Sequence, residues 1–317
     1  MKTAKKPLIF ASFPDMLEML SDENACRKYL ENLLLNGKPV CPHCGSENKD
    51  HYELKVNGKF KGLRKCKDCR ERFTVNIGTM FEGSHIPLRK WFIAIYIFSL
   101  HKKGISSYQL ASDLGITQKS AWFMLGRIRN AFKPKYMKAK ISGSLQADET
   151  FVGGKNRNRH GNKKVKESQG RSVKDKTPVF GILETGGNVH TQVVSDTKAK
   201  TIKPIIEKMV ADGSIIVTDE WGAYNNLSRK FNHTVVKHNA HQYAINGLHT
   251  NGIENFWSHL KRGIFGIYHH VSPEHLHRYC DEFSYRFNSR KATNNEKFNF
   301  SLKNSERLMW KQLIMKK

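Results

Sequence analysis

The chain has 317 residues, which is enough for two or three domains with a substantial core. It carries 54 Lys and Arg against 28 Asp and Glu, a formal charge of +26, and this excess indicates a polyanionic partner such as DNA. The longest apolar run, residues 91–100, is too short to cross a bilayer, and no signal-peptide pattern follows the basic N-terminus. We therefore expect a cytoplasmic, nucleoid-associated protein with no membrane partner.

The first 80 residues predict a helical segment followed by a zinc ribbon. In the helical segment, 1–40, apolar residues recur at helical spacing from residue 12 to residue 36. In the ribbon, 41–80, two Cys-x-x-Cys pairs bracket a hairpin whose turn is Asn57–Gly58, and thiolates in this arrangement bind one structural Zn²⁺. The four predicted ligands are Cys41, Cys44, Cys66 and Cys69. His43 lies inside the first pair and is predicted to be a bystander.

Residues 81–140 predict a helix-turn-helix DNA-binding domain and a linker. Gly115 marks a tight turn, and Thr117 is placed to cap the second helix. The N-terminal end of that helix can reach base edges or phosphates, and the residues there are Gln118, Lys119 and Ser120. Arg127 and Arg129 follow on the same helix and favour DNA contact. An ordinary helical hairpin inside a core is the alternative.

Residues 141–317 predict an α/β domain with a mixed sheet, because strands come first and helices then alternate with strands. The predicted strands are one that ends near Asp148, then 179–183, 189–194, 215–218 and 233–236, and the predicted helices are 199–211, 250–262 and 273–288. A basic insertion, 155–176, separates the first two strands. It is predicted to be a mobile loop that either stays solvated or contacts DNA.

Three acidic residues of this domain predict a metal site. Asp148 and Asp219 are placed at or near strand ends, and Glu254 opens a helix. Carboxylates that converge repel one another, so Mg²⁺ or Mn²⁺ is the simplest explanation for the set. Lys261 lies two helical turns after Glu254 and Asn251 one turn before it, so the three share a helix face.

Other residues near the acids are assigned lesser roles. Glu149 should point to the opposite face of its strand, where we expect it to pair with a basic residue. Trp257 is expected to pack in the core. Three histidines are expected to make polar or phosphate contacts rather than to bind metal: His238, His241 and His249.

The acids and their surroundings resemble the DDE signature of cut-and-paste transposases and retroviral integrases. The strings at 148–155, 218–224 and 249–263 are similar to those of bacterial insertion-sequence transposases related to Merlin elements, the ISXO-like group, which also carry an N-terminal zinc ribbon. The resemblance covers residues 12–290. It implies an α/β chain in which an RNase H-like catalytic domain follows a zinc ribbon and a helix-turn-helix.

The resemblance implies a DNA transposase that binds transposon terminal inverted repeats, cleaves the ends and joins the 3′-hydroxyls to target DNA. Two Mg²⁺ or Mn²⁺ ions would be bridged by Asp148 and held by Asp219 and Glu254. Lys261 would contact a phosphate or a terminal base. Asn251 is an alternative to Glu254 as the third residue of the triad.

The implied partner is double-stranded DNA, both transposon ends and target, bound by a homodimer or a larger synaptic assembly. Two other functions stay open. One is a structure-selective nuclease on the same fold, and the other is a catalytically inactive zinc-ribbon regulator.

Overall fold

The computed structural model describes residues 9–48, 50–133, 139–153, 156, 159–167, 172–237, 240 and 244–305. The chain forms two compact units. Unit 1 contains residues 1–132 together with 291–316, and unit 2 contains residues 133–290. Among the described helices, none is both long and apolar enough to cross a membrane.

Two short helices open unit 1 where one was predicted. The helix α1 (Phe13–Met19) is followed by α2 (Glu23–Leu35). The carboxylate of Asp22 accepts a hydrogen bond from the Ala25 amide at 2.7 Å and so starts a new helix. Asn36, with φ 50°, ends that helix in the left-handed conformation.

A three-stranded antiparallel sheet follows, with its strands in the order β1 (Tyr52–Val56), β2 (Lys59–Lys65) and β3 (Arg72–Phe73). Asn57 and Gly58 have φ values of 51° and 75°, as the tight turn of a β-hairpin requires. The predicted hairpin between the cysteine pairs is therefore present.

Three helices then form the middle of unit 1: α3 (Leu88–Leu100), α4 (Ser107–Leu114) and α5 (Gln118–Ala131). The helix α3 is rich in aromatic residues that are completely buried, among them Trp91 and Phe92. It supplies the core against which the neighbouring helices pack.

Unit 2 contains a five-stranded mixed sheet. In chain order its strands are β4 (Ser144–Gly153), β5 (Lys176–Glu184), β6 (Val189–Val193), β7 (Ile215–Thr218) and β8 (Asn232–Val235). The spatial order is β6-β5-β4-β7-β8. The pairs β4/β5 and β5/β6 are antiparallel, and β4/β7 and β7/β8 are parallel. This order and these directions are those of the RNase H-like fold.

The first strand is longer than predicted. It does not end near Asp148 but continues to Gly153, because β5 begins at Lys176 and pairs with β4 along its whole length. Asp148 therefore lies in the middle of a strand. The start of β5 also takes the last residue of the predicted insertion 155–176 into the sheet.

The described part of the insertion has hydrogen-bonded order, where a mobile loop was predicted. The side chain of Asn156 donates to the carbonyl oxygen of Val165 at 2.7 Å and accepts from its amide at 2.9 Å. Gly161–Lys163 forms a 3₁₀ turn. Lys155 lies outside the described residues.

Helices cover both faces of the sheet in unit 2. The helix α6 (Ala199–Met209) packs on the face that carries Leu145 and Ala147. The helices α7 (Asn251–Gly263) and α8 (Leu276–Asn288) pack on the opposite face. Alternating β4 side chains thus enter two separate cores.

The last helix, α9 (Asn294–Lys303), belongs to unit 1. Its Phe298 side chain is completely buried, and the ring lies 5.5 Å from that of Phe92 and 6.1 Å from that of Tyr96, measured between centroids. Residues 291–317 were predicted to be part of the catalytic domain. Their described part, residues 291–305, lies in unit 1 instead, because the apolar face of α9 packs against α2 and α3.

Candidate active site

Two of the three acids stand at the same level on neighbouring strands. The parallel pairing of β4 and β7 includes Gln146 opposite Val217. Two residues further along, β4 carries Asp148, and Asp219 directly follows β7. Glu254 is on the first turn of α7, which packs on the same part of the sheet.

The electrostatics of Asp148 reflect this arrangement. The pKa of Asp148 is raised to about 6. Burial is the largest cause, and the negative charges of Asp219 and Glu254 add to the rise. A hydrogen bond from Trp257 acts in the other direction. Three acidic groups therefore interact across one site, which is the condition that a bound divalent cation would relieve.

Trp257 is a site residue that the sequence analysis assigned only to the core. Its indole Nε1 donates to Asp148 Oδ2 at 3.1 Å. The ring reaches the acid because Gly181 pairs with Asp148 across the β4/β5 ladder and has no side chain. A Cβ atom built on Gly181 would lie 2.7 Å from Trp257 Cη2. The position of Trp257 three residues after Glu254 is the one sequence signal that could have suggested this contact.

The other two acids have their own hydrogen-bond donors. The Trp221 amide donates to Asp219 Oδ1 at 3.0 Å, and the Thr250 hydroxyl donates to Glu254 Oε1 at 2.7 Å. In the described part of the chain, the carboxylates of the three acids do not form a group whose ligand atoms all lie within 4.8 Å of one another.

Lys261 lies near the acids, and Asn251 opens the same helix. Burial lowers the pKa of Lys261, the charge of Asp148 raises it, and the charge of Lys176 lowers it. Lys176, at the start of β5, is a second cation near this site that the sequence analysis did not single out. Asn251 is exposed at the first position of α7.

Glu149 lies on the other face of β4, as predicted, and one of its partners is a tyrosine. The Tyr224 hydroxyl donates a hydrogen bond to its carboxylate. Burial and the Glu149 charge together raise the pKa of Tyr224 well above its usual value. The predicted pairing of Glu149 with a basic residue stays a prediction.

The histidines remain predictions. His238 and His241 lie outside the described residues. The ring Nδ1 of His249 is buried and has no hydrogen-bond partner within the described structure.

The four predicted cysteines come together in the ribbon. Sγ of Cys41 lies 3.7 Å from Sγ of Cys69, and the Cys44 and Cys66 sulfurs are also 3.7 Å apart. All four sulfurs lie within 4.8 Å of one another. A tetrahedron of zinc–sulfur bonds of about 2.3 Å has sulfur–sulfur edges of about 3.8 Å, so the cluster fits Zn²⁺. His43 is not in this group; its Nε2 lies 3.2 Å from the carbonyl oxygen of Arg72.

The helix-turn-helix segment consists of α4, a turn at Gly115 with φ 57°, and α5. Two of the three predicted DNA-contacting residues have intramolecular partners. Gln118 Nε2 donates to Ser107 Oγ at 2.8 Å, and Ser120 Oγ accepts from the Thr117 hydroxyl at 3.0 Å. Lys119 is exposed between them.

The two arginines further along α5 are structural. Arg127 and Arg129 are 6% and 4% exposed. Arg127 Nη1 donates to the carbonyl oxygen of Glu82 at 2.8 Å, and the Arg129 guanidinium lies 5.5 Å from the Phe98 ring centroid. Both side chains turn into the unit 1 core, so they do not add to the basic surface of this segment, and its contact with DNA stays a prediction.

Comparisons with known proteins match both parts of the chain. Residues 140–288 match the model of the ISXO2-like transposase domain, and residues 21–72 match the transposase zinc-ribbon domain. An uncharacterized transposase-like protein of Haemophilus influenzae is 36% identical over 102 residues, 32% of this chain and 81% of that protein. An uncharacterized protein in transposable element ISH50 of Halobacterium salinarum is 26% identical over 257 residues, 78% of this chain and 84% of that protein.

A distant structural similarity was also found. It is to a chain in the cryoEM structure of the simian T-cell lymphotropic virus intasome in complex with PP2A regulatory subunit B56 gamma, at 12% identity and a TM-score of 0.28. The match covers 56% of this chain and 63% of that chain. The two domain matches and the Haemophilus relative decide the family: the chain belongs to the ISXO2-like transposases of insertion sequences, with their zinc-ribbon domain.

Proposed function

We propose that this chain is a metal-dependent DDE transposase that binds transposon terminal inverted repeats, cleaves the ends and joins the 3′-hydroxyls to target DNA. One observation carries the proposal. Asp148 and Asp219 stand level on neighbouring strands, and Glu254 is close enough for its charge to raise the pKa of Asp148. The donor set suits Mg²⁺ or Mn²⁺, since carboxylate oxygens are their preferred ligands.

The three acids would hold two such ions. When bound, the ions stabilise the attacking and leaving oxygens of a phosphodiester displacement. Trp257 fixes the orientation of the Asp148 carboxylate through its indole N–H. The Thr250 hydroxyl donates a hydrogen bond to Oε1 of Glu254 and so helps to orient this carboxylate. Asn251 is the alternative third ligand, one helical turn away from Glu254 on α7.

The basic groups around the acids would position DNA. Lys261 and Lys176 are both within electrostatic reach of the site and carry charge opposite to that of a phosphate. Lys119 is exposed at the start of α5, where it can contact the terminal repeats. Gln118 and Ser120 would stabilise the turn through their hydrogen bonds with Ser107 and Thr117. Either side chain can exchange this bond for one to DNA.

The same proposal assigns one structural Zn²⁺ to the four cysteines and a cytoplasmic, nucleoid-associated location to the protein. Because two transposon ends must be joined, a homodimer or larger synaptic assembly with double-stranded DNA is expected.

Strand transfer with purified protein, Mg²⁺ or Mn²⁺ and end-containing DNA tests the function. Asp148→Asn is the sharpest variant, because the amide oxygen still accepts the Trp257 hydrogen bond while the charge is lost. Asp219→Asn and Glu254→Gln complete the set, and Asn251→Ala tests the alternative. Asp212→Asn is the matched control, since Asp212 is an exposed acid of the same unit.

We expect the three acid variants to lose both cleavage and joining by at least about 1000-fold, in line with loss of transition-state stabilisation by metal ligands. Asp212→Asn should be fully active. Strand transfer by Asp148→Asn at the wild-type rate would exclude the mechanism. Cleavage of branched DNA without any covalent joining of ends would instead favour the structure-selective nuclease, and metal-independent DNA binding without either reaction would favour the inactive regulator.

A further inference from the structure

The two faces of the ribbon sheet have different surroundings. We call the face toward α2 the inner face. There Arg64 forms an ion pair with Glu31 at 2.5 Å, and the Arg27 guanidinium lies 4.9 Å from the Phe60 ring centroid. Gly62 leaves room for this packing, because a Cβ atom built there would lie 2.4 Å from the Cδ atom of Arg27. The inner face is therefore occupied within unit 1.

The opposite side, the outer face, is defined by cross-strand pairing. Tyr52 pairs with Lys65, Val56 pairs with Lys59, and Lys65 pairs with Arg72, so these side chains lie on one side of the sheet. Lys61, which alternates with the inner-face residues of β2, lies on the same side. The face is open to solvent: Tyr52 and Val56 are 45% and 47% exposed, and Lys59, Lys61 and Arg72 are also exposed.

The charge of the outer face has a single sign. Its strand residues include four basic side chains and no acid. Glu53, the acid of β1, lies on the inner face, 3.6 Å from Arg64. In the described residues, no ion pair to a carboxylate involves the four bases Lys59, Lys61, Lys65 and Arg72. A row of basic groups without counter-charge attracts a polyanion.

The spacing of the lysines suits a nucleic-acid backbone. Alternate residues of a strand are about 6.7 Å apart, which matches the axial rise of about two nucleotides in B-form DNA. Single-stranded nucleic acid is a poorer fit, since it is held by stacking on several aromatic rings. The one aromatic ring of this face, Tyr52, already has the Arg70 guanidinium 5.7 Å from its centroid.

A protein partner is also a poorer fit. Lys is depleted in protein–protein interfaces, and their centres are apolar. The large apolar side chains paired or alternating on the outer face are the exposed Tyr52 and Val56 and the half-buried Leu63, which lies between Lys61 and Lys65. Charge and composition thus both favour a duplex phosphate backbone as the occupant.

We propose that the outer face of the zinc ribbon is a duplex-DNA contact surface that binds phosphates without reading bases, in addition to the helix-turn-helix. The proposal rests on the proposed DNA-processing function. It assigns the ribbon a role in affinity for any duplex, whereas Lys119 and its neighbours would act at the terminal repeats.

The test measures equilibrium binding of the full chain to a random-sequence duplex between 50 and 200 mM salt. Each lost phosphate contact should reduce the slope of log K against log salt by about 0.9. Lys61→Gln should thus reduce it by about 0.9, and the double variant Lys59→Gln/Lys61→Gln by about 1.8. Raising the salt from 50 to 200 mM should weaken DNA binding by a certain factor in the wild type, and that factor should be about 12-fold smaller in the double variant.

Lys55→Gln is the matched control, because Lys55 is an exposed lysine of the same sheet that pairs with the inner-face residue Phe60. Its slope should equal that of the wild type. Zinc content of one ion per chain in every variant shows that the ribbon is intact.

An unchanged slope in the double variant would overturn the proposal. Altered self-association of that variant, with the slope unchanged, would also overturn it and identify the outer face as a protein interface. Failure of the proposed function looks different: Asp148→Asn would then join DNA ends normally while the slope changes at Lys59 and Lys61 persisted.

Discussion

Gly181→Ala should disturb the candidate active site through one methyl group. The new Cβ atom would lie 2.7 Å from both Cη2 and Cζ2 of Trp257, whereas carbon atoms in contact are about 3.5–4.0 Å apart. The indole must therefore move by roughly 0.8 Å or more. Its Nε1 is 3.1 Å from Asp148 Oδ2, and a shift of that size carries the pair beyond hydrogen-bond range.

We expect overpacking to cost about 1–3 kcal/mol, and the lost hydrogen bond to a charged group to add about 1.5 kcal/mol. The opening free energy of α7 and β5, measured by amide hydrogen exchange in the full chain, should fall by about 2.5–4.5 kcal/mol. Strand transfer should fall as well, because Asp148 loses the donor that orients it.

Gly222→Ala is the matched control. A Cβ atom there would lie 3.8 Å from its nearest neighbour, Asn225 Nδ2, which is an ordinary contact distance. This variant should be neutral or more stable by up to about 1 kcal/mol, through the reduced freedom of the unfolded chain. If Gly181→Ala matches Gly222→Ala in both exchange and strand transfer, the proposed linkage between Gly181, Trp257 and Asp148 is wrong.

Three more variants test other parts of the molecule. Cys66→Ser should abolish the bound zinc measured by elemental analysis, while Cys26→Ser, which changes a buried cysteine outside the cluster, should retain it. Burial raises the pKa of Asp281 to about 7, so the folded state binds the proton more tightly than the unfolded chain and loses stability as the pH rises from about 4 through 7. Asp281→Asn should therefore raise the free energy of unfolding by about 1–3 kcal/mol at pH 8 and leave it unchanged near pH 4, and equal effects at both values would contradict the assignment. Phe298→Ala should destabilise unit 1 by about 3–5 kcal/mol in denaturant unfolding, while Phe300→Ala, 43% exposed on the same helix, should cost far less.

Features that depend on local chemistry could be predicted from the sequence. The cysteine pairs and the turn at Asn57–Gly58 specify a ribbon because ligand spacing and turn geometry are properties of a few adjacent residues. The strand order of unit 2 follows from its alternation of apolar strands and amphipathic helices together with the family resemblance. The three acids could be identified as candidates because the sequence segments around them, 148–155, 218–224 and 249–263, resemble those of the family.

Features that depend on distant partners could not be predicted. The strand β4 passes through Asp148 because β5, more than 20 residues later, supplies its ladder. The contact of Trp257 with Asp148 needs Gly181 from a third element. Arg127 is of a residue type that often contacts DNA. It is buried instead, and its guanidinium donates a hydrogen bond to the carbonyl oxygen of Glu82. In each case burial decided the outcome, and a single sequence does not specify which surface a side chain will meet.

The position of α9 has a consequence for synthesis on the ribosome. Phe298, which completes the aromatic core of unit 1, follows Phe92 by about 200 residues, and all of unit 2 is translated in between. At roughly 5–20 residues per second, the wait is about 10–40 s. The N-terminal unit of this chain is therefore the last to be completed: the RNase H-like unit can fold first, while the exposed rings of α3 remain without their final partner.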